Sequence, residues 1–421
     1  MDTAELVARR DRIFGAGAAL FYDEPIHIVR GEGVHLFDAD GKRYVDMYNN
    51  VPCVGHAHPH VVEAMARQAA TLNVHSRYLH EGVLEYAERL VAKHDDALDR
   101  IVFTCTGSEA NEVALLMARA FTGGRGILCS NRAYHGNTAE VGKLTRADDR
   151  HRPEIRSIPY PQMYRPLKEG ASEAELCDLY LAEVQAAIEG FAEDGVPFAG
   201  MLVCSILANE GLPDIPRGFM PRAAELVRAA GGVFIADEVQ AGFCRVGKFW
   251  GYEETEFVPD IATLGKPMGN GLPLAGAVAR AELMDAFRRT SYFNTFASSP
   301  LQAATGMAVL DVIESEGLME NAATIGARLR AGLERLDHPA IGDIRGHGLF
   351  LGIEWVSDRE NKTPDRDGAR VAANLLKDRG FLLSNAGSKG NTLKIRPPLV
   401  LSAGDADAFL AAFEEVLQAL S

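Results

Sequence analysis

The sequence predicts an α/β fold: a mostly parallel central sheet covered by helices, joined to a smaller α+β unit. Three observations predict it. From about 56 to 305, short apolar strand-like runs alternate with amphipathic helical runs, the pattern of parallel strands linked by crossovers. One of these runs, Gly232-Val-Phe-Ile-Ala-Asp-Glu-Val-Gln240, reads as a buried strand, rich in β-branched and aromatic residues and ending on acidic residues. At 421 residues the chain can bury a large core and should divide into domains.

The elements follow in order. Residues 1 to about 55 read as a helix and then a small hairpin, whose turn is favoured by Asp40-Gly41. Val61 to Ala70 and Val83 to Lys93 have the spacing of amphipathic helices. Ile101 to Thr104, Ile127 to Cys129, Met201 to Cys204, Val233 to Ala236 and Ala275 to Ala279 read as short strands. Tyr160 to Gly170, rich in Pro and Tyr, reads as an excursion loop. From about 306 a long helical stretch leads into a second α+β unit. It contains Ile344 to Trp355, which alternates like a strand, and closes with Leu393-Lys-Ile-Arg-Pro-Pro-Leu399. No internal repeat is visible.

Composition narrows the function. A formal net charge of −15 argues against a general nucleic-acid binder and favours solubility. No apolar stretch approaches a membrane span, and the N-terminus lacks the pattern of a signal peptide. The six cysteines are scattered without a Cys-x-x-Cys pair, which suits free thiols in a reducing cytoplasm. His56-Ala-His58-Pro-His60 could be read as a metal cluster. No acidic or cysteine partner stands nearby in sequence and Pro59 breaks regular structure, so no metal is expected.

The chemistry rests on two residues. Asp237 falls at the carboxyl end of its strand, where ligand crevices of open α/β sheets lie. Lys266 follows in the glycine-rich bend Thr263-Leu-Gly-Lys-Pro-Met-Gly-Asn-Gly271, and Pro267 pushes it towards an extended backbone. An acid at a strand end also occurs in ATPases, where it holds magnesium, but the phosphate-binding loop those require is missing. The pair suits pyridoxal phosphate, which needs a lysine for its Schiff base and an acid to keep its ring nitrogen protonated. Thr106-Gly-Ser-Glu-Ala-Asn111 follows a strand and opens a helical run. A helix start there would offer free N–H groups to a phosphate, with Gly107 allowing close approach and Ser108 adding a hydroxyl. The plainer alternative is an ordinary helix start capped by Ser108.

Asp237-Glu-Val-Gln240 and Leu264-Gly-Lys-Pro-Met-Gly-Asn-Gly271 resemble the signatures of class III pyridoxal-phosphate aminotransferases of fold type I. Gly31 to Gly41, Val54-Gly-His-Ala-His-Pro59, Thr106 to Asn111, Tyr134-His-Gly136 and Asn294-Thr-Phe296 match in the family's order, so the likeness runs from about Ile28 to the C-terminus. The resemblance implies a small domain built from 1–55 and 306–421 around a large cofactor-binding domain at 56–305. It implies that Lys266 carries the Schiff base and then serves as base, and that Asp237 faces the ring nitrogen. Val239 and Tyr134 would pack on opposite ring faces, with simple core packing the plainer alternative for Tyr134. Gln240 would bond the ring hydroxyl. Thr295 would reach the phosphate bound by a neighbouring subunit, which implies a homodimer with shared sites.

The chain departs from the family in one respect. Members that use 2-oxoglutarate carry a glutamate after the central strand and an arginine before the terminal Pro-Pro. In Val203-Cys-Ser-Ile-Leu-Ala-Asn-Glu-Gly211 the glutamate's place reads as Ser205, and the arginine's place reads as Lys394, with Arg396 two residues on. Lysine does not replace arginine in bidentate carboxylate binding. The expected reaction is transfer of an amino group from an amine or amino acid to pyruvate, glyoxylate or 2-oxoglutarate. The alternative is a phospholyase acting on phosphoethanolamine-like substrates, whose sequences resemble Asn73 to His80, Tyr292 to Thr295 and Leu393 to Arg396. In either case Arg77, Lys394 and Arg396 are expected to bind the substrate's anionic end. A cofactor-binding regulatory domain fused to a DNA-binding module would want a basic extension, which the sequence lacks.

Overall fold

The computed structural model describes residues 2–147 and 152–420. The chain opens with the helix Thr3–Phe14 and a meander of β1 (Ile28–Glu32), β2 (His35–Asp38) and β3 (Arg43–Asp46). The expected alternation then follows: β4 (Arg100–Thr104), β5 (Gly126–Ser130), β6 (Ile155–Ile158), β7 (Phe198–Cys204), β8 (Val233–Asp237), β9 (Ile261–Leu264) and β10 (Ala275–Ala279). They form one seven-stranded sheet in the order β4-β10-β9-β8-β7-β5-β6. The pairs from β9 to β6 are all parallel, and β10 runs antiparallel to both its neighbours. The mostly parallel α/β sheet read from the sequence is therefore the fold. Strands β6 and β9 had no counterpart in that reading. Each is only four residues long, and Ile155-Arg-Ser-Ile carries a charge at its second position, so neither makes a strong apolar run.

All of β8 is buried. A parallel strand covered by helices on both faces has no solvent side, which is why Val233-Phe-Ile-Ala reads as a continuous apolar run. Phe234 and Ile235 are fully buried, and each contributes about 1.5–3 kcal/mol by leaving water. This packing fixes the height at which Asp237 emerges.

The C-terminal part contains β11 (Ile341–His347), β12 (Phe350–Asp358), β13 (Thr363–Pro364), β14 (Phe381–Leu382), β15 (Ser384–Ala386) and β16 (Thr392–Ile395). The single strand expected over Ile344 to Trp355 is a hairpin instead: β11 and β12 pair antiparallel, with His347 opposite Phe350. Gly348, at φ 52°, makes the turn. A two-residue turn returns the chain with its alternation intact, so the apolar pattern runs through the bend unmarked. Strand β14 pairs with β3, joining the two ends of the chain in one small sheet. Strand β16, which carries Lys394, lies between β12 and β15.

Candidate active site

The carboxyl ends of β7 and β8 open into a cavity lined by Gly107, Ser108, Tyr134, His135, Gly136, Cys204, Asn209, Asp237, Val239, Gln240 and Lys266. Six of the sequence-predicted residues therefore meet there besides Lys266: Gly107, Ser108, Tyr134, Asp237, Val239 and Gln240.

Asp237 is the last residue of β8 and is buried. Its Oδ2 accepts from His135 Nδ1 at 2.6 Å and from Asn111 Nδ2 at 3.1 Å, while Oδ1 accepts from the Val239 amide at 3.0 Å. Thr263 Oγ1 donates to Asn111 Oδ1 at 2.6 Å and fixes that amide's orientation. His135 and Asn111 were absent from the sequence-based site. A signal existed, because both sit inside the segments that carried the resemblance, and a buried polar side chain must have a partner.

Lys266 begins a short 3-10 turn, Lys266–Gly269, with φ 30°. The expected extended backbone is therefore wrong. A following proline disfavours the right-handed helical region for Lys266, and here the residue leaves that region through positive φ rather than through the β region. The turn is held from outside: Cys53 Sγ contacts the Pro267 carbonyl at 3.3 Å, and Asn270 bonds the Val54 amide and the Gly55 carbonyl, each at 3.0 Å. Burial pushes the Lys266 amine below the usual lysine range. Asp237 pulls it back up, and Arg396 pushes it further down.

The helix Gly107–Thr122 starts beside the cavity. Its cap is Thr106, not Ser108: the Thr106 hydroxyl accepts from the Glu109 amide at 3.1 Å, and the Glu109 carboxylate accepts from the Thr106 amide at 3.1 Å. Ser108 is left at the second helical position, where its hydroxyl accepts from the Asn137 amide at 3.2 Å. Gly107 packs against Val239; a Cβ there would lie 2.9 Å from Val239 Cγ1. Tyr134 is 41% exposed, so its ring faces open space rather than packing in the core. Gln240 Nε2 donates to Asn209 Oδ1 at 3.2 Å, and its Oε1 accepts from Arg396.

The cationic residues divide. Lys394 is buried and its Nζ donates to the Ala208 carbonyl at 2.6 Å. Burial, then the charge of Arg396, pushes it well below the usual lysine range. Arg396 Nε donates to the Tyr48 carbonyl at 2.9 Å, and the guanidinium lies 4.5 Å from the Tyr48 ring centre. Arg77 does not join them within the described contacts. It is exposed and lies 4.1 Å from the ring centre of Phe293, two residues from the exposed Thr295. Ser205 is also misplaced by the sequence reading. It is buried with its hydroxyl donating to Glu238, whose carboxylate also accepts from the Gly251 and Tyr252 amides at 2.7 and 3.0 Å. The residue of this segment that lines the cavity is Cys204, one position earlier. The three histidines once considered as ligands are spread over separate carboxylates: His56 on Asp46, His58 on Glu316 and His60 on Asp311.

These residues fit pyridoxal phosphate. The cavity is lined by a lysine, a buried carboxylate, Val239 and the exposed Tyr134. It also has a helix start whose Gly107 and Ser108 line it, and Ser108 is free of capping duty.

Comparison with known proteins points the same way. The family profile "Aminotransferase class-III" matches residues 20–417. A Drosophila melanogaster protein named "Alanine--glyoxylate aminotransferase 2-like" is 36% identical over all of this chain and 88% of its own length. A Caenorhabditis elegans protein named "Ethanolamine-phosphate phospho-lyase homolog 1" is 33% identical over 98% of this chain and 93% of its own. Among solved structures, an Arthrobacter phospholyase in complex with phosphoethanolamine superimposes with a TM-score of 0.95 at 41% identity, covering 99% of this chain and 100% of that one. The chain belongs to the class-III aminotransferase family, and its cofactor is pyridoxal 5′-phosphate.

Proposed function

We propose that this enzyme transfers the amino group of a small amine or amino acid to a keto acid, with pyruvate, glyoxylate or 2-oxoglutarate as acceptor, in two half-reactions. The observation that carries the reading is the pairing of a lysine of lowered basicity with a saturated buried carboxylate in one cavity. The bound cofactor supplies an electron sink for the substrate's Cα. Lys266 would hold it covalently at rest and, once displaced, take the proton from Cα. An amine kept below the usual lysine range is suited to that work. Asp237 would hold a proton at the ring nitrogen. Val239 and Tyr134 would enclose the ring, and Gln240 would meet its hydroxyl. Gly107, Ser108 and the helix start behind them would bind the phosphate.

The same reading makes the enzyme a homodimer with shared sites. Thr295 is exposed beside Phe296, which is 79% exposed, and Leu79 is 98% exposed. Apolar side chains left open in this way support a subunit contact, at which Thr295 and Arg77 would serve the neighbouring site. A dimer by light scattering that loses activity on dilution to monomer is expected; a fully active monomer would contradict it. The pairing of β3 with β14 supports 1–55 and 306–421 as one small domain. Six free thiols, five of them buried, suit a reducing cytoplasm.

A second reading is favoured by the 41% identity to a phospholyase. Phosphate would leave from Cβ after proton removal at Cα, and water would complete the products as acetaldehyde and ammonia, without an acceptor. Incubation with phosphoethanolamine and no keto acid separates the two. Amino transfer predicts no phosphate release and turnover of amines with one of the three keto acids. Stoichiometric phosphate and acetaldehyde without acceptor would replace it by elimination.

A further inference from the structure

Asn209 lines the cavity together with Tyr134 and Gln240, and it is half-buried. Both ends of its side-chain amide are engaged. Its Nδ2 donates to the Tyr134 carbonyl at 3.0 Å, and its Oδ1 accepts from Gln240 Nε2 at 3.2 Å. The backbone that presents it is held on both sides. The Ala208 carbonyl before it accepts from Lys394 Nζ at 2.6 Å, and the Glu210 carbonyl after it accepts from the Ser388 amide at 3.3 Å. Leu207, at φ 49°, opens the turn, and its carbonyl accepts from the Leu212 amide at 3.2 Å to close it.

The partners dictate which way each amide faces. A carbonyl can only accept, so the end of Asn209 at Tyr134 must be its NH2. The end at Gln240 is then oxygen, and Gln240 must meet it with its own NH2. At the other end of Gln240 the Arg396 guanidinium can only donate, which requires Oε1 there. A reversed Gln240 would set oxygen against oxygen at Asn209 and N–H against N–H at Arg396. One orientation survives, and it is fixed from both ends. The Gln240 NH2 has two hydrogens, and Asn209 takes one. Among the described contacts the second has no partner, and Gln240 is buried and lines the cavity.

We propose that Asn209 is a positioning residue: by fixing the sense of the Gln240 amide, it makes Gln240 present an N–H rather than an oxygen to the ring hydroxyl of the bound cofactor. The proposal rests on the reading that Gln240 meets that hydroxyl. An N–H donated to an oxygen favours its ionised form. It also drains charge from that oxygen, which then holds a proton shared with the Lys266 nitrogen less firmly. The visible band of the bound cofactor reports that proton. It should therefore titrate at a lower pH than it would without the donor. The same Asn209 amide ties Gln240 to the backbone of Tyr134, so the group at the ring's edge and the group over its face are held together.

The test follows that band against pH in holoenzyme of the wild type, Gln240→Met, Asn209→Ala and the double variant. Gln240→Met keeps the side chain's length but offers no donor, and it should raise the midpoint by on the order of one pH unit. Asn209→Ala should raise it in the same direction and by no more than that. The double variant should match Gln240→Met, because no amide is left to orient. Asn209→Ser, too short to span both partners, should repeat the Asn209→Ala shift, and it takes that variant's place should Asn209→Ala not fold. Three results would overturn the proposal. An unmoved midpoint in the Asn209 variants, with Gln240→Met shifted, would make Asn209 a turn residue only and leave the reading of Gln240 standing. Shifts that add in the double variant would show Asn209 acting by another route than Gln240. No shift in Gln240→Met would remove the reading beneath the proposal, since Gln240 would then not meet the ring hydroxyl.

Discussion

In the cavity a carboxylate is saturated, with Asp237 holding a histidine, an asparagine and a backbone amide. Two basic side chains outside that lining, Lys394 and Arg396, are buried against neutral oxygens, Arg396 on the cavity-lining Gln240. The difference teaches what each group is for. A saturated carboxylate keeps its position and its charge through a catalytic cycle. A buried cation with only carbonyl partners has interaction to spare for a ligand that comes and goes. The saturated carboxylate suits a resident cofactor.

The comparison can be broken at several points. The largest effect is expected at Lys266. Lys266→Ala should lose the visible band of the bound cofactor near neutral pH and cost roughly 10²–10⁴-fold or more in turnover; wild-type activity in that variant would end the mechanistic reading. Next comes the inner carboxylate. Asp237→Asn should keep cofactor but lose on the order of 10²–10⁴-fold in rate, since removing one partner of a buried charged pair costs about 3–5 kcal/mol. An unchanged rate of Cα proton removal, measured with α-deuterated substrate, would speak against its role.

A smaller effect separates positioning from mere packing. His135→Phe keeps a ring but removes the bond to Asp237, so kcat should fall about tenfold to a hundredfold with KM and cofactor content near wild type. A fall in cofactor content with kcat per bound cofactor intact would make His135 structural only. The smallest effect lies just behind the cavity. Burial pushes the Glu238 carboxyl up to about 7 despite bonds from Ser205 and two amides. The folded state therefore keeps this proton when the unfolded chain, near its ordinary value of about 4.3, has released it. Stability from this group is fully present below that value and is lost as pH rises towards 7, at up to about 1.4 kcal/mol per pH unit. Glu238→Gln should flatten the decline of Tm over that window. An identical pH profile would show that Glu238 is already ionised in the folded protein.

The two groups also differed in how far the sequence revealed them. Asp237 and Lys266 were legible because each closes or follows a short apolar strand, and strand ends of a parallel sheet form the crevice. Gly107 was legible for the same reason. His135 and Asn111 were missed because their contacts to Asp237 span 102 and 126 positions in the chain, and no local pattern encodes such a distance. At the end of β7 the error was one of register. Side chains alternate along a strand, so a one-residue slip at its end moves a residue to the wrong face. Cys204 still belongs to β7 and faces the cavity, whereas Ser205 turns away to Glu238. Arg77 was grouped with Lys394 and Arg396 through a resemblance spread over separate segments, and within one subunit the fold leaves it exposed beside Phe293. The turn that Lys266 begins at positive φ is held by bonds from Cys53 to Pro267 and between Asn270 and Val54 and Gly55, long-range contacts that propensity could not show.

The central claim assigns Lys266, and not the buried Lys394, to the cofactor. Reduction of the holoenzyme with borohydride, followed by peptide mapping by mass spectrometry, tests it most directly. The account predicts a pyridoxyl group on the peptide containing Lys266 and an unmodified Lys394. A pyridoxyl group on Lys394, or on neither lysine, would contradict it.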